Sequence, residues 1–358
     1  MGTCIAHSTA LAYWLTRSQS PGQLCVANHS LIQSLTTSTA DVDRVRAFLI
    51  DCGALPDRGT AHHRDTAHCN SHSAYESCKT DHLIHTLVQS RADIRRAQNF
   101  QAHAIRGTAQ TTSQHHLPEG SILMLNEQDL ITSPEATFFE IASGTSNIVH
   151  AIEIGYYLCS KFYISPEGYG LIGKRNPLTS IERISNYLNQ LTGVYGVAKA
   201  REALLYVHEN CESPQEVNLS IELALPLRLG GRGFPPHQAA QEFPLHNYRW
   251  QRTLGCNYLR ADIYFPDLDA IFEYDSYEEH MNRQQFDHTQ TRAGILRAQG
   301  HKVISVTFGQ LLNNQAFNDS IFTWEAELGL PHPSLDNITI QKQYLLHNFL
   351  YQMKRRMF

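Results

Sequence analysis

One run near the C-terminal third constrains the fold of this chain most: "NYLRADIYF", "PDLD", "AIFEYDS", then "MNRQQFDHTQTRAGILRAQG" and "HKVISVTF". The first and third segments read as strands, and the Pro and Asp residues between them supply turn chemistry, so a hairpin is expected. The next segment carries Phe286, Thr289, Ala293 and Leu296 as an apolar helical stripe and stops at Gly300. "HKVISVTF" then reads as a buried strand. From the Glu273 strand through the helix to Val303 the chain has the length of a crossover between parallel strands. Upstream, "SPQEVNLSIELALPL" is a helix closed by Pro226 and followed by a "GGRG" loop. The order α-β-β-α-β, with an extra strand placed at "NYRWQRT", points to a mixed sheet flanked by helices.

Two acids stand inside the second hairpin strand. Alternation puts Ala270, Phe272 and Tyr274 on one face and Ile271, Glu273 and Asp275 on the other. Glu273 and Asp275 therefore project side by side, about 6–7 Å apart along the strand. The hairpin returns Asp262 towards Glu273. Buried carboxylates are costly unless paired, hydrogen-bonded or metal-bound, and three of them at one hairpin edge suit a hard, oxygen-preferring cation such as Mg²⁺. The chemistry that follows is phosphodiester hydrolysis, in which a metal polarises the phosphoryl oxygen and lowers the pKa of an attacking water.

The residues "RADIYFPDLDAIFEYDS…H", then "D…R…L…GHKVISVT", resemble the PD-(D/E)XK nuclease superfamily, on its very-short-patch-repair-like endonuclease branch. The resemblance covers residues 206–312. It extends more loosely upstream through "HLPEGS…TSPEATFFEIA", similar to an actinobacterial architecture akin to abortive-infection type IV antitoxin regulators. It implies an α/β class, α+β overall, with a restriction-endonuclease-like α-β-β-β-α-β core preceded by a mostly helical region. By match, Asp262 and Glu273 fall on metal-ligand positions for Mg²⁺, with Mn²⁺ as a substitute, and Glu216 on the carboxylate of the first helix. Asp275 and His280 fall on accessory positions and would orient water or a ligand carboxylate; Asp287 and Arg292 fall on supporting ones. The superfamily's lysine would sit at Asp275. An acid cannot steady a developing oxyanion as an ammonium can, which leaves Lys302 and His280 as the nearby replacements.

Several of these residues have plain structural roles open to them. Ser213-Pro214-Gln215-Glu216 is a capping box in which Glu216 bonds back to the Ser213 amide. Arg283 and Arg297 share one helix face and, with Lys302, offer contacts for DNA phosphates. Basic residues on a helix are also commonly just a solvated face. Arg292 lies beside the apolar stripe and is expected to pair with a carboxylate such as Asp287.

Four regions are expected: an N-terminal region of unclear fold (1–120), a mostly helical middle (121–205), the endonuclease-like domain (206–330) and a C-terminal helix (331–358). In the first, "STALAYWLTRS" is a helix capped by Ser8, and "TADVDRVRAFLIDCGAL" an amphipathic helix ended by Gly53. "DHLIHTLVQS" is a short strand or helix. In the second, "SILMLNEQDLITSPEATFFEIAS" reads as strand, turn, strand and helix, with Ser133-Pro134 as the helix start. "TSIERISNYLNQL" opens on a Thr179-x-x-Glu182 capping box. Histidine is over-represented, at 20 residues. The run His62, His63, His68, Cys69, His72, Cys78, His82, His85 fits no tight-knuckle zinc spacing, so a polar loop is expected and no zinc.

The net charge of −5 argues against nucleic acid wrapped over the whole surface, so DNA contact must come from a local patch. Eight scattered cysteines without a CxxC pair, and no leading basic-then-apolar region, point to reduced thiols in a cytoplasmic protein. No apolar run reaches the ~18 residues of a membrane span. Two functions fit: a metal-dependent DNA endonuclease-like enzyme in defence or repair, or a catalytically inactive DNA-binding regulator, an antitoxin-like component of a defence locus with a toxin-like protein as its partner.

Overall fold

The computed structural model of this chain describes residues 3–18, 21–28, 31–32, 35, 37–55, 83–89, 91–94, 96–97, 100–105, 108–111, 114–165, 171–275 and 283–352. The fold is mixed α/β and divides between Val207 and His208 into two compact units. Among the described residues no helix is long and apolar enough to cross a membrane.

The first unit opens with β1 (Thr3–Ile5), α1 (His7–Leu15), β2 (Cys25–Val26) and α2 (Thr39–Asp51). It continues with β3 (Ile84–Val88), β4 (Arg96–Ala97), β5 (Phe100–Ala104), the small antiparallel pair β6 (Thr108–Thr111) and β7 (Gln114–His116), β8 (Ile122–Met124) and β9 (Asp129–Thr132). One sheet runs in the order β2-β8-β9-β1-β3-β5-β4, parallel at β1–β9 and β3–β5 and antiparallel elsewhere. Then come α3 (Pro134–Gly144), α4 (Ile148–Leu158), a hairpin of β10 (Phe162–Ile164) and β11 (Leu171–Lys174), α5 (Ile181–Asn189) and α6 (Val197–Leu204).

Local chemistry explains where these helices begin. Ser38 and Asp41 form a capping box at α2, and Ser133 caps α3 with Pro134 at its first position. Two starts differ from the sequence reading, by two residues at α1 and by one at α5. Helix α1 begins at His7 behind Ala6, with no side-chain cap, so Ser8 is not its N-cap. At α5 the cap is Ser180, because the Thr179 hydroxyl instead donates to buried Glu135 at 2.6 Å. The residues 62–82 of the His/Cys-rich run lie outside the described residues; His85 is on β3.

The second unit holds α7 (Pro214–Ala224), β12 (Gln238–Pro244), α8 (Tyr248–Leu254), β13 (Tyr258–Phe265), β14 (Ala270–Asp275), α9 (Arg283–Ala298), β15 (Lys302–Thr307), α10 (Phe308–Leu312), α11 (Asn314–Leu328) and α12 (Asn337–His347). Its sheet runs β12-β13-β14-β15, antiparallel until the final parallel pair. The hairpin turn is a 3-10 turn at Pro266–Leu268 closed by Asp269 at φ +47. One face carries Ala270, Phe272, Ile304 and Val306 against Leu219 and Leu223 of α7 and Phe317, Ile321 and Trp324 of α11. The other carries Ile271 and Val303 against Ala293, Ile295 and Leu296 of α9, with Trp250 and Leu254 of α8 alongside.

The extra strand is not where the sequence placed it. "NYRWQRT" forms α8, capped by Asn247 and stopped by Gly255 at φ +67. The added strand is β12, an edge strand exposed along much of its length, whose Gln- and Ala-rich sequence carries little apolar alternation.

Candidate functional site

Strands β13 and β14 pair with Phe265 opposite Ala270 and Ile263 opposite Phe272, so the next step sets Asp262 across from Glu273. There a side chain takes over from the backbone ladder: the Tyr274 N–H donates to Asp262 Oδ2 at 2.8 Å. An aspartate in a strand is thus satisfied by standing in for a carbonyl. Glu273 shares the Ile271 face, which α9 covers. From that helix Arg292 donates through Nη2 to Glu273 Oε2 at 3.3 Å and to the Arg260 carbonyl at 2.9 Å. The other oxygen, Glu273 Oε1, is buried with no hydrogen-bond partner.

Glu216 reaches the same neighbourhood from the first turn of α7. Its amide donates to Ser213 Oγ, and its carboxylate accepts the Glu212 N–H at 2.8 Å. The cap bond therefore closes one residue earlier than a capping box on Ser213. Burial pushes the Glu216 carboxyl well above its ordinary range, and the charge of Asp262 adds to the rise. Burial likewise pushes Glu273 up to about 8, with Asp262 adding to it and the Arg292 guanidinium opposing it. Glu216 and Glu273 thus each feel the Asp262 charge, and Glu216 also closes the first turn of α7.

Cations frame this acidic group. Arg260, two residues before Asp262, bridges Glu212 at 2.6 Å and Glu242 at 2.9 Å. Arg292 pairs with Glu273 rather than with Asp287, which is exposed on the same helix. Neither arginine's place was legible as a neighbour of the acids, since only the sheet register and the crossover bring them there.

Three further candidates lie among the described side chains: Asp275, Lys302 and Arg297. Asp275 is half-buried, level with Thr307 on β15. Burial and then the Asp275 charge push the neighbouring Tyr274 hydroxyl up to about 12. His280 lies outside the described residues, as does the side chain of Arg283. Lys302 is level with Ala270, three residues and about 10 Å along the strand from Glu273. It also points to the opposite face, where its Nζ donates to the Leu328 carbonyl at 3.4 Å. It therefore does not supply the ammonium that Asp275 lacks. Arg297 is exposed and donates to the Val303 carbonyl at 3.0 Å, near the same far end of the sheet.

The acids fit a divalent cation in chemistry more than in spacing. A buried carboxylate oxygen without a donor, in a group whose charges raise one another's pKa, is what a bound dication would relieve. Among the described residues, however, the histidine, cysteine and carboxylate atoms that gather three at a time within 4.8 Å of one another are those of His7, His85 and His103, in the first unit. Sequence reasoning singled out His85 alone of these, because the three come from one helix start and two strands, with no local spacing to betray them. No family model matches the chain, and no match is found among curated proteins or solved structures.

Proposed function

We propose that the second unit is a metal-dependent endonuclease-like domain of the PD-(D/E)XK kind, hydrolysing phosphodiester bonds of DNA in defence or repair. The observation that carries the reading is the meeting of Asp262 and Glu273 across the hairpin, within reach of the Glu216 charge, with Glu273 held up to about 8. The order of helix, edge strand, the short helix α8, hairpin, crossover helix and parallel strand supports a restriction-endonuclease-like core. In this reading Asp262 and Glu273 hold Mg²⁺, or Mn²⁺ in its place, and Glu216 supports them. Such an ion, when bound, polarises a phosphoryl oxygen and acidifies a water. Arg292 holds Glu273 by Oε2 and leaves Oε1 for the cation. Arg283, Arg297 and Lys302 are the proposed phosphate contacts, Asp275 and His280 the groups that orient water, and Asp287 and Arg292 the supporting residues on α9.

The test is Mg²⁺-dependent nicking of duplex, mismatched and single-stranded DNA by the full chain. Glu273→Ala is expected to abolish it while circular dichroism shows the fold intact. Wild type that cuts none of these with Mg²⁺ or Mn²⁺ would remove the enzymatic reading.

One observation favours a second reading, a catalytically inactive DNA-binding regulator with a toxin-like partner. Arg292 already occupies Glu273 Oε2, and Lys302 lies on the wrong face to replace the superfamily's lysine. Its mark is DNA binding that weakens steeply with salt, occurs without cleavage and is unchanged by Glu273→Ala.

A further inference from the structure

The first unit contains a second, chemically different cluster. His85 lies on β3 and His103 on the adjacent β5, while His7 opens α1 just after β1, the neighbour of β3 on its other side. The register sets His85 level with Gln101 and Leu87 level with His103, which puts His85 and His103 on one face, two residues apart along the strands. Their ring centroids form a nearly equilateral triangle: 5.0 Å for His7–His85, 4.9 Å for His7–His103 and 5.0 Å for His85–His103. One nitrogen from each ring lies within 4.8 Å of the others.

That triangle has the size a metal would set, while its ring planes, 23°, 5° and 20° apart, must turn further from parallel to meet a tetrahedral ion. Three imidazoles on a tetrahedral ion with metal–nitrogen bonds of about 2.0–2.1 Å have centroids roughly 5 Å apart. His85 Nδ1 and His103 Nε2 are 2.7 Å apart. Ligand nitrogens on such an ion stand about 3.3 Å apart, so loading opens this contact by roughly half an ångström.

The backbone around the rings is tied down. The Ala6 N–H donates to the His85 carbonyl at 3.0 Å, and the His85 N–H donates to Thr9 Oγ1 at 2.9 Å. The His7 N–H donates to Glu140 Oε2 at 2.9 Å. His7 itself sits at φ +53, a left-handed conformation that a residue with a Cβ holds only where its surroundings enforce it. All three histidines line a cavity of about 830 Å³ together with Glu140, Tyr187 and Arg91.

We infer that His7, His85 and His103 form a three-histidine site for a divalent transition metal such as zinc, with a remaining coordination position open to this cavity. Three neutral nitrogen donors select a borderline metal over Mg²⁺, so this site and the acidic hairpin take different ions. Three protein ligands plus an open position is the arrangement in which a metal binds water or a small ligand. No zinc is expected from the spacing of the His/Cys-rich run; its last member, His85, is the one among the described residues, and it enters this cluster.

The experiment uses the full chain, stripped with chelator and titrated with Zn²⁺ by calorimetry and with Co²⁺ by visible absorption. One equivalent is expected to bind, with a d–d band of a low-coordinate nitrogen site. His85→Ala and His103→Ala should each weaken that site by more than about 100-fold, since loss of a mere supporting partner already costs 10–100-fold. His103→Gln, closer in size and polarity, guards against misfolding and should fail in the same way with an unchanged circular dichroism spectrum. His68→Ala, in the His/Cys-rich run, should leave the site intact. Wild type that takes up no equivalent, or uptake lost in His68→Ala but kept in the folded His103→Gln, would overturn the inference.

Discussion

A carboxyl pushed up to about 8 keeps its proton through most of the neutral range, and this fixes the sign of the Glu273 contribution to stability. In the unfolded chain a glutamate titrates near 4.3, so between the two values the folded state binds a proton that the unfolded state has released. The stability this linkage contributes is therefore fully present below about pH 4 and is lost as pH rises through 8. The side chain is only 14% exposed, so solvent screens little of it, and the loss is on the order of a few kcal/mol. Urea unfolding of the metal-free protein at pH 5, 7 and 9 should show wild type weakening with pH. Glu273→Gln should flatten that slope and be the more stable protein at pH 9. At this scale the sequence exposed the acids, because carboxylates interrupt an apolar strand pattern at Asp262, Glu273 and Asp275. It did not expose their partners. Arg292 stands five residues from Asp287 and nineteen from Glu273, and only the crossover brings it to the latter. The histidine cluster was hidden for the same reason, since its members are joined by the sheet and not by spacing.

Elements were legible where caps and turns are local and obscure where neighbours decide. The hairpin, the crossover helix ending at Gly300 and the parallel strand follow from alternation, helical spacing and turn residues, and all are present. Helix α8 was misread because its aromatic and basic residues resemble a short strand, whereas the Asn247 cap and Gly255 stop define a helix. The "GGRG" loop after α7 has a stricter role than a generic breaker. Gly230 sits at φ +91 against the Lys342 carbonyl of α12, and a Cβ on Gly231 would stand 2.0 Å from the Leu225 carbonyl oxygen. That neighbour is backbone and cannot swing aside. Gly231→Ala should therefore cost roughly 1–3 kcal/mol in urea unfolding, through displacement of the loop that α12 packs on.

For the whole molecule, the two units differ in how much of them a sequence reader can recover. The second is built largely from neighbours in sequence: β13 pairs with β14, and β14 reaches β15 through one crossover. In the first, β1 pairs with β3 and β9, and several strands are only two or three residues long, too short for periodicity to register. Its sheet is a product of long-range pairing, which is why residues 1–120 offered no fold. The facing carboxylates Asp262 and Glu273 lie in the second unit and the histidine triangle in the first.

The central claim, that the acids of the hairpin are a cation site, is tested without knowing the right DNA by calorimetric titration of Mg²⁺ at pH 7. Running the titration in buffers of different ionisation enthalpy counts the protons exchanged. Because Glu273 is protonated at that pH, binding should release about one proton per ion, and Glu273→Gln should lose both the binding and the release. Mg²⁺ binding without proton release, or binding equal in wild type and Glu273→Gln, would contradict it.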